Sequence, residues 1–302
     1  MKTAELTQAT VTSRDGTTIG YYKAGHDSNG PAVVVLHGSM ESARSHTLLA
    51  EALASDFTVY LPDRRGRGLS GPQRPDHTVR TEVEDLEAVL TATGATHAFG
   101  VSAGGAVVLE AARTLPGSAE GALEKIALYE PAIVADGAPH RAWLARFDQE
   151  IARGDLAGAM VTSMFGFEMA PPFLKVMPRG LLRWTTEKMM AKEERQAVAG
   201  AITMRQLAPT IHVEGTIVAE LGGTFENFRT VNADVLLLGG TKGLPGLEPG
   251  RATLEKVLPH CRRIEFDGFD HGSSSDPGGV NPNGSPDAVR RIADEVKAFF
   301  KQ

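Results

Sequence analysis

The 302-residue sequence predicts an α/β fold built on a mainly parallel sheet. Three observations predict it. Short continuous apolar runs, such as Val33-Val34-Val35-Leu36 and Val235-Leu236-Leu237-Leu238, read as strands covered on both faces. Segments of helical periodicity separate these runs in turn, as βαβ crossovers require. From about Ala135 to Arg229 no convincing parallel strand appears, and the strand pattern resumes at Asp234.

The elements follow in order. Thr10 to Ser13 and Thr18 to Lys23 alternate around Arg14-Asp15-Gly16-Thr17, the pattern of a β-hairpin with an Asp-Gly turn. Pro31 to Leu36 is a buried strand. Ser42 to Ser55 has helical periodicity through Leu48, Leu49, Ala52 and Leu53, and Phe57 to Leu61 is another strand. Val79 to Thr93 is an amphipathic helix with Val83, Leu86, Val89 and Leu90 on one face, ended by Gly94. His97 to Val101 is a strand, Gly104 to Leu115 a helix stopped by Pro116-Gly117, and Lys125 to Tyr129 a strand. After the helical stretch come a strand at Asp234 to Leu238, a helix around Ala252 to Leu258 and a strand at Arg263 to Phe266. The Gly/Pro/Ser/Asn segment from Ser273 to Ser285 reads as a mobile loop. Ser285-Pro286-Asp287 supplies an N-cap with proline at the first helical position for a last helix to Phe300.

Composition narrows the function. The apolar fraction of 42% and charged fraction of 23% are those of a soluble globular chain. A net charge of −6 with no basic cluster interleaved with aromatics argues against nucleic acid as a partner. Met1 to Gln8 lacks the apolar core of a signal peptide, and no stretch approaches the ~18–20 apolar residues of a membrane span. The one cysteine, Cys261, permits no intrachain disulfide. A cytoplasmic protein is expected, with Cys261 a small buried hydrophobe. No His-Glu-x-x-His or other ligand spacing asks for a metal, and no motif asks for a cofactor.

The chemistry centres on Gly100-Val101-Ser102-Ala103-Gly104, a Gly-x-Ser-x-Gly between an apolar strand and a helix. Such a turn strains the serine backbone, needs small flanking residues and lifts the hydroxyl over the strand end. The following helix aims its first N–H groups at any developing anion. Arg64, Arg65 and Arg67 with their glycines lack the Gly-Lys-[Ser/Thr] ending of a phosphate loop.

Three further motifs fall in register with this turn. His37-Gly38-Ser39 follows the first buried strand, Asp63-Arg64-Arg65-Gly66-Arg67-Gly68-Leu69-Ser70 follows the next, and Gly268-Phe269-Asp270-His271-Gly272 follows the last. Together they resemble the α/β-hydrolase family over essentially the whole chain. The resemblance implies a mainly parallel eight-stranded sheet flanked by helices, with a helical cap inserted after strand 6. The core would be 1–133 and 231–302, and the cap 134–230. It implies Ser102 as nucleophile and His271 as base. It also implies an oxyanion hole from the N–H groups of Ala103 and Ser39, with Met40 the fallback donor. His37 would orient that loop, and Asp63 and Arg64 would shape a loop beside it.

The acid departs from the family's usual pattern. The family commonly places aspartate after the strand that follows the cap; here that stretch is Gly239-Gly240-Thr241-Lys242-Gly243. Glu130, at the end of the strand before the cap, is the favoured acid, with Glu248 and Asp136 as alternatives. Asp270 adjoins His271 and is expected to cap the turn.

A serine at the elbow, where epoxide- and halide-processing members carry aspartate, points to acyl transfer. The leading expectation is a hydrolase of an apolar carboxylic ester, lactone or related acyl substrate, acting through an acyl-enzyme at Ser102. The alternatives are a lyase or cyclase on the same fold, or a ligand-binding protein. Met40, Met164, Phe165, Phe167, Met189 and Met190 are candidates to line an adaptable apolar pocket. The expected partner is a small apolar substrate, with neither nucleic acid nor membrane, and the chain is expected to be a monomer or homodimer.

Overall fold

Residues 6–25, 31–115, 122–197, 201–278, 281 and 284–302 are described by the computed structural model. The start of the N-terminal segment and the Pro116-Gly117 helix stop lie outside them.

The strands are β1 (Leu6–Thr12), β2 (Thr18–Ala24), β3 (Ala32–Leu36), β4 (Thr58–Pro62), β5 (His97–Val101), β6 (Lys125–Tyr129), β7 (Asp234–Lys242) and β8 (Cys261–Asp270). They form one eight-stranded sheet in the order β1-β2-β4-β3-β5-β6-β7-β8. β1 pairs with β2, and β2 with β4, antiparallel; every other pairing is parallel. The hairpin turn is closed by the Ser13 N–H on Thr17 O at 2.8 Å, with Gly16 at φ +87°.

Alternate residues of each central strand enter opposite layers, which is why these strands read as unbroken apolar runs. Val34, Leu36, Ala98, Ile126, Leu128, Val235 and Leu237 pack into one core with helices α2 (Val79–Thr93), α3 (Ser102–Thr114) and α9 (Glu248–Val257). Val33, Val35, Phe99, Val101, Ala127, Tyr129, Leu236 and Leu238 pack into the other, with α1 (Thr47–Leu53) and α10 (Pro286–Phe300).

Between β6 and β7 the described chain has no strand. It forms α4 (Ala138–Ala152), α5 (Leu156–Gly166), α6 (Arg179–Gln196), α7 (Met204–Leu207) and α8 (Ile211–Leu221). This segment is not uniform. Val213, Ile217 and Leu221 of α8, with Phe225 and Phe228 after it, join the sheet core. A smaller cluster forms around Phe147 of α4, Ala159 of α5 and Ile211.

Most elements fall where the sequence predicts. The differences have physical causes. α1 is preceded by a 3₁₀ turn at Ala43–His46, and α3 begins at Ser102 itself because the elbow residue already carries the helix's first turn. β7 continues through Gly239-Gly240 and β8 through Gly268, residues that read locally as strand breakers. The two strands pair at Gly239–Glu265 and Gly240–Phe266, and a register shift follows before Lys242 meets Asp270.

Candidate active site

The parallel register brings three loop ends together. Val101 pairs with Tyr129, and Tyr129 with Leu238, so Ser102 and Glu130 leave adjacent strands at one level. The Ala132 N–H donates to Ser102 O at 2.9 Å and ties the two exits. From the far edge, the Tyr129 hydroxyl donates to Asp270 O at 2.6 Å and draws in the residue before His271. This is the carboxyl edge of a parallel sheet, where such folds place their chemistry.

Four described non-glycine residues have positive φ: Met40 (+56°), Ser102 (+53°), Glu130 (+44°) and Glu168 (+56°). The first three are at this edge, so backbone strain is concentrated where the sequence places its candidate groups. The elbow tolerates Ser102 because its neighbours are small. A Cβ on Gly104 would collide with the backbone oxygens of Leu36 and His37.

His271 and Glu130 are brought into direct contact, with His271 Nδ1 2.7 Å from Glu130 Oε2. Glu130 is 1% exposed. It also accepts the N–H groups of Gly240 on Oε1 at 3.1 Å and Leu244 on Oε2 at 3.3 Å. Burial by itself would raise the Glu130 carboxyl. The His271 hydrogen bond and charge, the Gly240 N–H and the Arg251 guanidinium outweigh it and hold the group below its ordinary value. With Nδ1 engaged, Nε2 is the ring nitrogen left to face a nucleophile.

The alternative acids lie elsewhere. Glu248 pairs with Arg251 and with Arg263 at 2.7 Å. Asp136 is exposed and accepts from the Ala138 N–H at 2.8 Å. Asp270 caps its turn, accepting from the Gly272 N–H at 3.1 Å and the Ser273 hydroxyl at 3.0 Å.

The loop after β3 is held from below. His37 is fully buried, accepts the Arg64 N–H on Nε2 at 3.1 Å, and places Nδ1 2.9 Å from Gly38 O. Burial and the nearby charges of Arg67 and Arg64 push it well below its ordinary value, so the ring is neutral and Nδ1 donates. The Gly38 N–H donates to Glu41 Oε2 at 2.7 Å, which commits it and leaves Ser39 and Met40 as the next N–H groups along the loop. Asp63 accepts from the N–H groups of Ala43 and Leu69, both at 2.9 Å, and so shapes the neighbouring loop. Ala103 lies in the first turn of α3, where its N–H has no acceptor within the helix.

Of the stretch from Ser273 to Ser285, residues 279, 280, 282 and 283 lie outside the described residues, and its first part is anchored. Ser273, Ser274 and Ser275 are buried rather than loose. Ser275 Oγ bonds Glu41 Oε1, and Ser274 O meets His46 Nδ1 at 3.2 Å. Asp276 accepts from the N–H groups of Thr47 at 2.9 Å and Leu48 at 3.1 Å. These partners, from Glu41 to Leu48, are distant in sequence, and the buried Ser274 hydroxyl itself has none among the described residues.

Met40 and Phe167 pack against the same small cluster as Trp143 and Met160, which links the loop after β3 to the helical segment. Met164 and Phe165 are half-buried on α5. Trp143 stands 4.8 Å from the Phe167 ring, and His140 stands 6.1 Å from it. Met189 and Met190, both candidates for the pocket, do not share an environment. One helical step turns them apart: Met190 is fully buried, while Met189 is 50% exposed on α6. His140, Glu41, His46 and Arg251 were not singled out in the sequence; only the i, i+3, i+7 spacing of His140, Trp143 and Phe147 carries a visible signal. Cys261 is half-buried rather than fully buried, and burial pushes its thiol up to about 12, which makes it a poor nucleophile.

No helix among the described residues is long and apolar enough to cross a membrane. Comparison with known proteins agrees with the fold. The model of the alpha/beta hydrolase family matches residues 33–292, and the chain belongs to that family. An alpha/beta hydrolase from Sphaerobacter thermophilus is 26% identical, with TM-score 0.73 over 97% of this chain and 100% of that one. An esterase from Rhodococcus sp. ECU1013 is 22% identical, with TM-score 0.61 and 98% of each chain covered. A thermophilic esterase from Thermogutta terrifontis is 17% identical, with TM-score 0.66 over 99% of this chain and 100% of that one.

Proposed function

We propose that this chain is a serine hydrolase that cleaves an apolar carboxylic ester, lactone or related acyl substrate through an acyl-enzyme at Ser102. The observation that carries the reading is the 2.7 Å contact of His271 Nδ1 with buried Glu130, beside the positive-φ Ser102 turn. Serine is a poor nucleophile without a base, and an imidazole oriented by a carboxylate supplies one. His271 Nε2 takes the Ser102 proton as Oγ attacks the carbonyl carbon. The N–H groups of Ala103 and Ser39 stabilise the tetrahedral oxyanion. The imidazolium then returns the proton to the leaving alcohol, and water repeats the cycle to release the acid.

Within residues 134–230, α4 to α7 serve as the cap over a core of 1–133 and 231–302, which α8 and the Phe225–Phe228 stretch join. Met40 and Phe167, packed in the Trp143 cluster, and the half-buried Met164 and Phe165 of α5 offer soft apolar surface to the acyl group. Met190 is buried in α6, and Met189, on its exposed side, is left out of the pocket. A lone cysteine suits the reducing cytoplasm.

The test is labelling with a fluorophosphonate read by intact mass. One adduct is expected on the wild type and none on Ser102→Ala. A folded wild-type protein that takes no adduct would overturn the hydrolase reading and favour a binding role.

A further inference from the structure

Where the family commonly carries its acid, this chain has Gly239 to Gly243, and that space is filled by an arginine. Arg251 of α9 is 3% exposed. A Cβ on Gly239 would fall on Arg251 Nη1, and a Cβ on Gly243 would fall on Glu130 Oε1. The two glycines are therefore where the guanidinium and the relocated carboxylate sit. Arg251 Nη1 stands 3.7 Å from Glu130 Oε1. It is buried and makes no hydrogen bond, so what it gives the carboxylate is charge.

We propose that Arg251 is a positioning residue of the site, a buried counter-cation that keeps Glu130 ionised and aimed at His271. This rests on the reading of Ser102, His271 and Glu130 as the catalytic groups. A carboxylate removed from water tends to take up a proton, and a protonated Glu130 could not accept from the His271 Nδ1–H. A guanidinium does not lose its own proton in a protein, so it is a permanent remedy. The surrounding charges fit one direction of effect. Arg251 also faces Glu248, and Glu265 at 3.4 Å, and Arg263 of β8 shares both carboxylates. Glu248 and Glu265 are 45% and 41% exposed in their side chains, so water screens them. Glu130 is the partner that water does not reach, with the Tyr129 phenol and His271 the remaining titratable groups around it.

The competing account makes Arg251 only a tie between α9 and β8 through Glu248 and Glu265. pH separates the two. Removing a positive charge beside the Glu130–His271 pair makes that pair easier to protonate. The acidic limb of Ser102 reactivity should then move to higher pH, by about 0.5–1 unit. A purely structural loss lowers reactivity equally at every pH.

The experiment measures fluorophosphonate labelling rates against pH for the full chain and for Arg251→Met, Arg251→Lys and Gly239→Ala. NMR titration of the His271 ring in the same proteins runs alongside. Arg251→Met should shift the limb upward, and Arg251→Lys should recover most of the shift. Gly239→Ala should reproduce it with the arginine still present, because its methyl displaces the guanidinium. If Arg251→Met does not fold, Gly239→Ala decides. A limb that stays at its wild-type pH in folded Arg251→Met or Gly239→Ala overturns the proposal. A wild type that labels nowhere overturns the hydrolase reading instead. The ring titration then judges Arg251 alone, and an unchanged His271 titration across the variants rejects it.

Discussion

His271 and Glu130 meet at 2.7 Å, Nδ1 to Oε2, across 141 residues of sequence. Glu130 comes from the end of β6, and the contact fixes both the tautomer and the direction of the imidazole. Glu130→Gln keeps the shape but gives the ring an amide, which has only one acceptor oxygen. The Gly240 and Leu244 N–H groups compete for that oxygen. In a comparable carboxylate–imidazole pair, loss of the carboxylate costs about 10⁴ in kcat. A loss of that order in kcat, with a smaller change in KM, is expected for Glu130→Gln on any ester the wild type turns over. Near-normal turnover would reject Glu130 as the orienting acid.

The stretch after β7 is not a dormant acid position. Thr241 is exposed, and its hydroxyl lies 3.2 Å from Asp267 Oδ1 and accepts the Gly268 N–H at 2.8 Å. That side chain is engaged with the β7–β8 turn. An aspartate there would meet Asp267 and lie outside the Glu130 pocket. Thr241→Asp should leave the wild-type rate largely unchanged and should not rescue Glu130→Gln. Recovery of turnover in the double variant by more than about tenfold would show that a carboxylate at this position can reach the imidazole.

The sheet was legible because its strands are covered on both faces and so carry unbroken apolar runs. The Ser102 turn and the His271–Glu130 contact were legible because each of these residues sits at a strand end in a short local motif. What stayed hidden was the set of buried charges. Arg251 on α9 and Glu41 after Gly38 look like surface residues in a window of ten. Arg251 has room because position 239 is glycine, and Glu41 is bonded by a serine 234 residues away. β7 runs further than its apolar run for the same reason: the space beside Gly239 is taken by Arg251 and that beside Gly240 by Phe269 of β8, while Gly268 sits in β8 at φ +77°.

A second buried set ties α8 to the sheet. Arg64 Nη1 donates to both Glu214 oxygens at 3.0 and 2.9 Å, and Arg67 Nη2 to Glu214 Oε1 at 3.0 Å. Arg64 Nε donates to Glu82 Oε2 at 2.7 Å. All four side chains are buried. Glu214→Gln leaves two guanidinium groups with half their counter-charge. Breaking a buried pair in this way costs about 3–5 kcal/mol, whereas deleting all its members together need not. Urea unfolding should show the loss as a lower midpoint; an unchanged midpoint would mean that water reaches the arginines.

The loop after β3 and the loop after His271 share one buried ion pair. Glu41 Oε2 contacts His46 Nε2 at 3.1 Å while also accepting the Gly38 N–H, and Glu41 Oε1 bonds Ser275. Burial would raise Glu41, but the charge and hydrogen bond of His46, with Ser275 and Gly38, bring it from 4.5 to about 2. Burial would likewise lower His46; the charge and hydrogen bond of Glu41, then Asp276 and Ser274 O, carry it above its ordinary 6.5. The signs follow. Glu41 contributes stability present above pH 4.5 and lost as pH falls through about 2. His46 contributes stability present below pH 6.5 and lost as pH rises through its raised value. Both are fully in force only between those limits. The gap in Tm between the wild type and Glu41→Gln should therefore be widest at about pH 4.5–6.5 and narrow on either side. Because Glu41 also fixes the Gly38 N–H, the same variant should lose kcat more than KM, by about tenfold or more. A Tm gap that stays constant from pH 3 to 9 would mean that the two groups are held together by packing rather than by charge.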